Sequence, residues 1–349
     1  MLKNRFEKAP LTKMPGLTRT RVDMENPSLV RLETFGPDQP LPLVMQPAVS
    51  GLDPIAWVRH NMAFVESKLL EAGAILFRGF DIEDADRLNQ FITALGVAPM
   101  EYRERSSPRS DVGDRVYTST DYPADQVIFP HNEHSYSRTF PLKLFFFCKS
   151  PASEGGETPL TDCRRIFRSL PPRIRERFIE KQWMYVRNFG DGFGLSWQTA
   201  FQTEDPEAVE RYCRAADIQA EWKERGRLRT RQVRPAVITH PRTGEMAWFN
   251  HATFFHISTL PAPIQSDLLA EFREEDLPNN TYYGDGSRIE PEVMDELRAA
   301  YLQQAVSFAW ARRDLVLLDN IATAHARNRY AGPRQIFFAM AEPFSRTDF

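Results

Sequence analysis

The strongest strand signal in the chain is PLKLFFFC, residues 141–148. Its dense aromatic and aliphatic side chains are typical of a strand buried within a sheet. Strand patterns return at residues 315–318 and 334–340, whereas helical patterns lie mainly between these two groups of strands. This order favours a β-sandwich or barrel with added helices over alternating βαβ units. We therefore expect an α+β fold.

Weaker patterns define the elements around these strands. Helices are predicted at residues 54–72, 84–95, 170–180, 261–273 and 290–304. Asp53 precedes the proline at position 54, which makes it the expected N-cap of the first helix. Two strand-like runs around a Pro/Gly turn predict a hairpin over residues 234–250.

The length of 349 residues allows two domains of roughly 150 residues, but a barrel with insertions can use the whole chain. Residues 1–50 are dotted with proline and weakly periodic, so we expect an extended N-terminal lead-in. We expect residues 51–349 to form a single domain. Its core strands would be interrupted by a helical insertion at about residues 165–305.

Composition excludes several classes of protein. A net charge of −3 is too balanced for a general polyanion binder, so no nucleic-acid partner is expected. The longest apolar run is far shorter than the roughly 20 residues of a membrane span, so no membrane partner is expected. The first residues lack the apolar stretch of a secretory signal. Three widely spaced cysteines indicate a reducing compartment, and we expect a cytoplasmic protein.

Residues 131–133 read HNE, and His131 is the only histidine with an acid two positions later. In a strand, residues two apart share one face, so His131 and Glu133 would reach the same metal ion. The pattern alone is weak, because about one such match is expected by chance. Two histidines and one carboxylate suit Fe(II) and leave the open positions that an oxygenase needs. His325, just beyond the strand at 315–318, is placed to be the third ligand.

Arg334 opens the alternating strand at 334–340, nine residues after His325. Its guanidinium group is suited to bind the far carboxylate of a dicarboxylate through two parallel hydrogen bonds. The competing interpretation is an arginine at a surface strand end, paired with a solvated acid. Arg334 taken alone favours the second interpretation.

Three separated motifs occur in the order found in one enzyme family. They are HNE at 131–133, GGET at 155–158, and DN at 319–320 followed by HAR at 325–327 and GPR at 332–334. With these motifs, the chain from about residue 73 to 342 resembles the taurine dioxygenase/clavaminate synthase-like oxygenases. The segments 129–162, 248–250 and 279–286 are similar to the branch that contains the syringomycin-pathway aspartyl hydroxylase.

The resemblance implies a double-stranded β-helix (jelly-roll) core with flanking and inserted helices. It also implies Fe(II) as the metal, 2-oxoglutarate as co-substrate and O2 as oxidant. Matched position by position, His131, Glu133 and His325 would be the iron ligands and would carry the catalysis. An acid at position 133 fills the site that related halogenases leave for chloride, so halogenation is not expected.

The same matching assigns residues to the co-substrate. Thr158 would hydrogen-bond the 2-oxoglutarate carboxylate near the metal, and Arg334 would bind the distal carboxylate. Some relatives place this arginine a few residues later, where this chain has other residues. Arg327, two residues after His325, is therefore the second candidate for the anchor.

The substrate class comes from the resemblance alone: a small amino-acid-type molecule, free or tethered to a carrier protein. Ser135 and Tyr136 follow the ligand motif, and Asn250 ends a strand rich in aromatic residues, so these three are the candidate substrate contacts. Four alternating arginines, at positions 225, 227, 229 and 231, would share one strand face. That row is either a solvated face or a docking site for an acidic carrier protein.

The expected activity is hydroxylation of an unactivated C–H bond in a biosynthetic pathway. Desaturation or cyclisation would use the same residues and cofactors. A non-catalytic barrel that binds a small ligand is the alternative outside enzymes. The near-neutral charge argues against a nucleic-acid demethylase of the same chemistry. The sequence leaves the oligomeric state open, and a homo-oligomer is one of the alternatives.

Overall fold

The computed structural model describes residues 24–346, apart from 37–38, 40, 102–103, 107–109, 114, 120–121, 191 and 193. The strands of this part of the chain are β1 (Val30–Glu33), β2 (Leu43–Pro47), β3 (Ala74–Phe77), β4 (Asp111–Gly113), β5 (Val116–Thr118), β6 (Ile128–His131), β7 (Thr139–Ser150), β8 (Glu154–Gly155), β9 (Leu160–Asp162), β10 (Trp183–Phe189), β11 (Gln219–Trp222), β12 (Leu228–Arg234), β13 (Val237–Thr239), β14 (Met246–Trp248), β15 (Asn279–Tyr283), β16 (Ala305–Val306), β17 (Leu315–Asp319), β18 (Thr323–Arg327), β19 (Tyr330–Ala331) and β20 (Gln335–Ser345). The helices are α1 (Pro54–His60), α2 (Met62–Ala72), α3 (Ala85–Ala94), α4 (Cys163–Ser169), α5 (Pro172–Lys181), α6 (Trp197–Phe201), α7 (Pro206–Ala215), α8 (Ala262–Glu271) and α9 (Pro291–Gln304).

The largest sheet has eight strands in the order β1-β2-β3-β17-β7-β20-β5-β4. Its centre is β7, which pairs antiparallel with β17 on one side and with β20 on the other. Side chains alternate between the two faces of β7, and both faces are buried. Phe145 and Phe147 pack in the core cluster that includes residues of α1, α2 and α3, whereas Phe146 lies in the cluster with Leu160 of the small sheet. Burial on both faces explains the apolar run of residues 144–148.

A second, smaller sheet has the order β16-β9-β18-β6. All five residues of β18 are buried, and β18 pairs antiparallel with both β9 and β6. The structure therefore has mixed α and β content, as the sequence predicts.

The structure corrects the expected helical insertion at about residues 165–305. This segment contains helices α4 to α9, but also the four-stranded sheet β11-β12-β10-β15 and the hairpin β13–β14. The hairpin over 234–250 is confirmed, with Val237 opposite Trp248. The sheet was missed because its strands bury polar side chains, including Arg229, Thr230 and Gln232. Such residues hide the apolar alternation by which a strand is recognised.

The predicted helix over 54–72 is two helices, because the chain bends at Asn61 between α1 and α2. The Asn61 side chain donates to the carbonyl oxygens of Trp57 (2.8 Å) and Met24 (2.7 Å), so it satisfies backbone groups at the break. The predicted N-cap is confirmed: the Asp53 carboxylate accepts hydrogen bonds from the backbone N–H groups of residues 55 and 56.

The predicted lead-in of residues 1–50 lies partly outside the described residues, which begin at Met24. Its described part contains β1 and β2, which pair antiparallel with each other. β2 also pairs parallel with β3, so both strands belong to the large sheet. The domain boundary at residue 51 stays a prediction. Among the described residues, none of the helices is long and apolar enough to span a membrane.

Gly73 joins the large sheet to β18 and provides a test of this packing. It ends α2 with a φ of +83°, and its carbonyl accepts a hydrogen bond from the Thr323 hydroxyl (2.9 Å). A Cβ at Gly73 would lie 2.6 Å from the Thr323 Oγ1. We expect Gly73→Ala to lower the free energy of unfolding by about 2–4 kcal/mol, through backbone strain plus this clash. Urea denaturation measures the loss.

Gly244→Ala is the matched control. Gly244 has a φ of +72°, but nothing lies within 4 Å of a Cβ added there. This variant should lose only the backbone term, about 1–2 kcal/mol. Equal losses in the two variants would contradict the close packing of Gly73 against β18.

Candidate active site

His131, Glu133 and His325 converge at the junction of β6 and β18. His131 is the last residue of β6, and His325 lies directly opposite it in the antiparallel register. A strand running through Glu133 was expected, but β6 ends at His131. Residues 133–136 form a turn instead. This turn, rather than strand alternation, brings the Glu133 carboxylate to the two imidazoles.

The three side chains have the separations of a metal site. Oε2 of Glu133 is 4.0 Å from Nε2 of His131 and 3.9 Å from Nε2 of His325, and one ligand atom of each residue lies within 4.8 Å of the others. Bonds of about 2.0–2.2 Å to a shared ion place adjacent ligand atoms about 3 Å apart, so these atoms need to move only about 1–2 Å closer together to bind one ion. Nδ1 of His131 donates to the Phe129 carbonyl oxygen (2.9 Å), which leaves the Nε2 lone pair for a metal. The residues therefore fit an iron ion.

Asn320 ties the turn at Glu133 to the chain that enters β18. Its Oδ1 accepts from the Glu133 backbone N–H (2.8 Å), and its Nδ2 donates to the Glu133 carbonyl oxygen (2.8 Å) and the Pro141 carbonyl oxygen (2.8 Å). Asn320 is fully buried. The motif at 319–320 was visible in the sequence, but its spacing gave no indication of this bracing role.

Asp319 shapes the same connection. Its Oδ1 accepts from the backbone N–H groups of Ile321 (3.0 Å) and Ala322 (2.9 Å), and its Oδ2 contacts Nε2 of His240 at 2.8 Å. These bonds fix the tight turn between β17 and β18. The position of this turn determines which residue of β18 lies opposite His131 of β6.

The three candidate ligands lie in the wall of a cavity of about 850 Å³. Thr158, Arg327 and Arg334 line the same cavity, so the structure brings together all six residues proposed for metal and co-substrate. Aromatic rings surround the metal ligands: Phe254 lies 4.6 Å from His131, and Phe146 lies 4.8 Å from His325, between ring centroids. These rings give the two imidazoles apolar neighbours on one side.

Thr158 is buried, and its Oγ1 accepts a hydrogen bond from the Trp310 indole N–H (3.2 Å). Because this bond uses the oxygen as acceptor, the hydroxyl hydrogen can be donated to a ligand carboxylate. This geometry leaves the Thr158 hydroxyl hydrogen available for the role that the resemblance implies.

Arg334 and Arg327 differ in what their guanidinium groups bind. Arg327 is buried, and its Nη1 and Nη2 donate to the carbonyl oxygens of residues 122, 123 and 126. Arg334 donates from Nε to the Gly156 carbonyl oxygen (3.0 Å) and makes a longer bond to the Ser119 hydroxyl (3.4 Å). A Cβ at Gly156 would lie 3.0 Å from Cδ of Arg334, so a glycine there leaves room for this arginine.

Burial and the nearby charge of Arg327 lower the pKa of Arg334 to about 10. Among the described residues, no carboxylate forms an ion pair with Arg334. A half-buried cation in this state is stabilised when an anion enters the cavity. The structure thus fits a dicarboxylate at Arg334, whereas Arg327 braces the cavity wall.

The three candidate substrate contacts lie outside the cavity lining. The Ser135 hydroxyl contacts Nδ1 of His251 at 2.5 Å, and the Tyr136 hydroxyl donates to the Glu104 carbonyl oxygen. The Asn250 amide donates to the Ala236 carbonyl oxygen and accepts from the Ala252 backbone N–H. Ser135 and Tyr136 lie in the turn that follows His131 instead of in a longer β6, and Asn250 follows β14. Their role as substrate contacts stays a prediction.

The cavity wall includes His251, which follows the aromatic strand at 248–250 and lies 5.5 Å from the His131 ring. Burial, followed by the charges of His131 and His134, holds the pKa of His251 well below its usual range. The sheet of the insertion adds Arg187, Asn188 and Phe189 of β10 and Asn279 of β15. These were missed because the sheet itself was not recognised.

The arginine row at 225–231 is not a free cationic face. Arg229 and Arg231 lie in β12, where Arg229 pairs with Asp276 (2.5 Å) and Arg231 with Glu221 (3.0 Å). Arg225 adopts a φ of +60° in a short 3-10 turn, and Arg227 follows that turn. The four side chains therefore do not form the continuous row that a carrier protein would dock on.

Comparisons with known proteins identify the family of this chain. The sequence profile of the family "Taurine catabolism dioxygenase TauD, TfdA" matches residues 37–340. The dapdiamide synthesis protein DdaC of Enterobacter agglomerans is 38% identical over 279 residues, which are 80% of this chain and 85% of DdaC. A clavaminate synthase-like protein of Arabidopsis thaliana is 28% identical over 295 residues, which are 82% of this chain and 86% of that protein.

Solved structures give the same fold. PvcB of Pseudomonas aeruginosa aligns with a TM-score of 0.54 at 16% identity, covering 90% of this chain and 92% of PvcB. A second structure describes PvcB as an Fe, alpha-ketoglutarate dependent oxygenase from an isonitrile synthetic pathway. The chain belongs to the TauD, TfdA family, and it is an Fe(II)- and 2-oxoglutarate-dependent dioxygenase, as its motifs predicted.

Proposed function

We propose that this dioxygenase hydroxylates an unactivated C–H bond of a small amino-acid-type substrate in a biosynthetic pathway. The observation that carries the proposal is the convergence of His131, Glu133 and His325 at one wall of a large cavity. In the proposal these three residues are the iron ligands. The dapdiamide synthesis protein among the relatives supports a biosynthetic role. The substrate class follows from the resemblance of the motifs.

We further interpret the two main sheets as a double-stranded β-helix. The chain passes from β6 in the small sheet to β7 in the large one, then to β9, and later from β16 to β17, β18 and β20 in the same alternation. Alternation between two facing sheets is the hallmark of a jelly roll. The iron ligands would then lie on the small sheet and the turn that follows β6.

The co-substrate would lie between the metal ligands and Arg334. Arg334 supplies a cation without an acidic partner among the described residues, and Thr158 supplies a hydroxyl donor. Arg327 keeps the wall in place through its bonds to the carbonyl groups of residues 122–126. These residues would orient 2-oxoglutarate before any chemistry occurs.

Bound Fe(II) and 2-oxoglutarate supply the oxidising power by activating O2. The residues of this chain orient the ligands and pack around them: the Phe129 carbonyl oxygen fixes the His131 tautomer, and the rings of Phe146 and Phe254 pack against the imidazoles.

Desaturation or cyclisation would use the same residues. Mass analysis separates them, because hydroxylation adds an oxygen atom to the product whereas desaturation removes hydrogen. An acidic carrier partner, a homo-oligomer and a cytoplasmic location stay predictions.

The ligand assignment predicts the behaviour of His131→Ala. Loss of one of three ligands should abolish the visible charge-transfer band that forms when Fe(II) and 2-oxoglutarate are added anaerobically. It should also abolish succinate formation. His60→Ala, at the exposed end of α1, is the control and should behave as the wild type. An unchanged band in His131→Ala would refute the assignment.

The contrast between the two arginines predicts different phenotypes. Arg334→Met should weaken 2-oxoglutarate binding by about 2–4 kcal/mol, roughly 30- to 800-fold in Kd, because it removes the charged partner of a carboxylate. Arg327→Met should mainly lower the melting temperature, because it removes three bonds to backbone carbonyls. Calorimetric titration and thermal unfolding measure the two effects. The opposite pattern would make Arg327 the anchor.

The bracing role of Asn320 predicts a loss of metal affinity without loss of a ligand. Asn320→Ala frees the turn that carries Glu133, and we expect Fe(II) or Mn(II) affinity to fall by roughly 10- to 100-fold. Asn250→Ala is a matched control, since Asn250 is also buried and bonds only to backbone groups. It should lose stability but keep the wild-type metal affinity. Equal metal affinities for the two variants would exclude the bracing role.

A further inference from the structure

Arg187 is a buried cation in the cavity wall that the dioxygenase chemistry described above does not use. It lies in β10, in the sheet formed by the insertion, and it is only 5% exposed. The same strand contributes its two neighbours, Asn188 and Phe189, to the wall. Arg187 is thus on the side of the cavity built by the insertion rather than by the sheet that carries the metal ligands.

The guanidinium of Arg187 lacks an acceptor for one of its nitrogens. Nη2 donates to the Arg105 carbonyl oxygen (2.9 Å), whereas the buried Nη1 has no hydrogen-bond partner. Among the described residues, no carboxylate forms an ion pair with Arg187. A buried guanidinium nitrogen without a partner is costly, and such groups are rare in folded proteins. An acceptor from a ligand would remove that cost.

Arg229, on the adjacent strand, shows how this sheet buries an arginine for structural purposes. It is 7% exposed, close to the value for Arg187, and it lies opposite Asn188 in the register. Its guanidinium donates to the Asn188 amide oxygen (2.8 Å), the Glu275 carbonyl oxygen (2.9 Å) and the Asp276 carboxylate (2.5 Å). The Arg187 guanidinium has one carbonyl acceptor where that of Arg229 has three acceptors. A purely structural role therefore does not explain why Arg187 is buried.

Two rings hold the Arg187 guanidinium in place. Its central carbon lies 4.6 Å from the ring centroid of Phe189 and 5.7 Å from that of Tyr185. These contacts limit the positions of a side chain that is otherwise flexible. A preorganised guanidinium is suited to a planar carboxylate, because less freedom is lost on binding.

A continuous row of rings connects Arg187 with the metal ligands. Tyr185 stacks on Phe255 at 4.3 Å, Phe255 stacks on His251 at 4.8 Å, and His251 lies 5.5 Å from His131. Phe255 and His251 both line the cavity. A substrate lying along this wall would have one end at Arg187 and its other end near the metal ligands.

We propose that Arg187 binds the carboxylate of the substrate and so selects amino-acid-type molecules that have a free carboxylate. This inference rests on the proposed function for the identity of the reacting end. Arg334 binds the co-substrate at one part of the wall, and Arg187 binds the substrate at another. The two cations thereby keep two carboxylate-bearing molecules in separate places within one cavity.

The test uses matched pairs of probes: the N-acetyl-L-amino acids and their carboxamides, which differ only in the negative charge. Binding is measured by calorimetry under anaerobic conditions on the protein with Fe(II) and 2-oxoglutarate, and again on metal-free protein. We expect at least one acid to bind the wild type more tightly than its amide. In Arg187→Met that acid should bind roughly 10- to 100-fold more weakly, while the affinity of its amide is unchanged. Arg187→Lys should restore part of the preference.

Arg329→Met is the matched control, since Arg329 is an exposed cation of the same cavity wall. It removes the same charge and should retain the acid preference. The proposal is overturned if no acid outperforms its amide on the wild type, or if Arg187→Met keeps the preference. It is also overturned if Arg187→Met weakens 2-oxoglutarate as strongly as the acid probe, because Arg187 would then bind the co-substrate.

The two proposals fail in different ways. Absence of the Fe(II)–2-oxoglutarate band would refute the proposed function, yet an acid preference on metal-free protein that depends on Arg187 would still stand. A normal band with no acid preference would refute only the role of Arg187. Wild-type-like thermal unfolding of Arg187→Met would show that lost binding does not come from misfolding.

Discussion

The pairing of β18 with β6 is the constraint on which the active site depends. It places His325 opposite His131, and a shift of one residue would turn His325 to the other face of the sheet. Asp319 fixes the turn before β18, and Asn320 binds that turn to the backbone of Glu133. The backbone register and two buried polar residues therefore determine the positions of the metal ligands. The rotamers of the ligand side chains contribute less.

The sequence predicted the elements whose buried side chains are apolar. Strands buried on both faces contain apolar runs, such as residues 144–148 of β7, and the ligand motif with His325 identified residues that the structure brings together. The sheet of the insertion was not predicted, because its buried arginines, such as Arg229, look like surface residues until their partners are known. Ser135 was misplaced for a local reason: the chain turns directly after His131.

The buried and half-buried arginines of this fold differ in their acceptors. Arg164 and Arg229 each have carboxylate and carbonyl partners supplied by the chain, and Arg327 donates to three carbonyl oxygens. Arg187 and Arg334 lie in the cavity wall with fewer acceptors and with no acidic partner among the described residues. Since an uncompensated charge is destabilising when it is removed from water, these two arginines are retained at a cost to the free protein. Binding of an anion offsets that cost, which makes these two arginines the natural sites for carboxylates.

The two arginines belong to different parts of the fold. Arg334 directly precedes β20 of the large sheet, which pairs with the central strand β7. Arg187 belongs to β10 of the inserted sheet, which contributes other residues to the cavity wall. Because the two arginines belong to different sheets, changes in the inserted sheet can alter the substrate while leaving metal and co-substrate binding intact. The physical basis of such a division is that each carboxylate has its own preorganised guanidinium group.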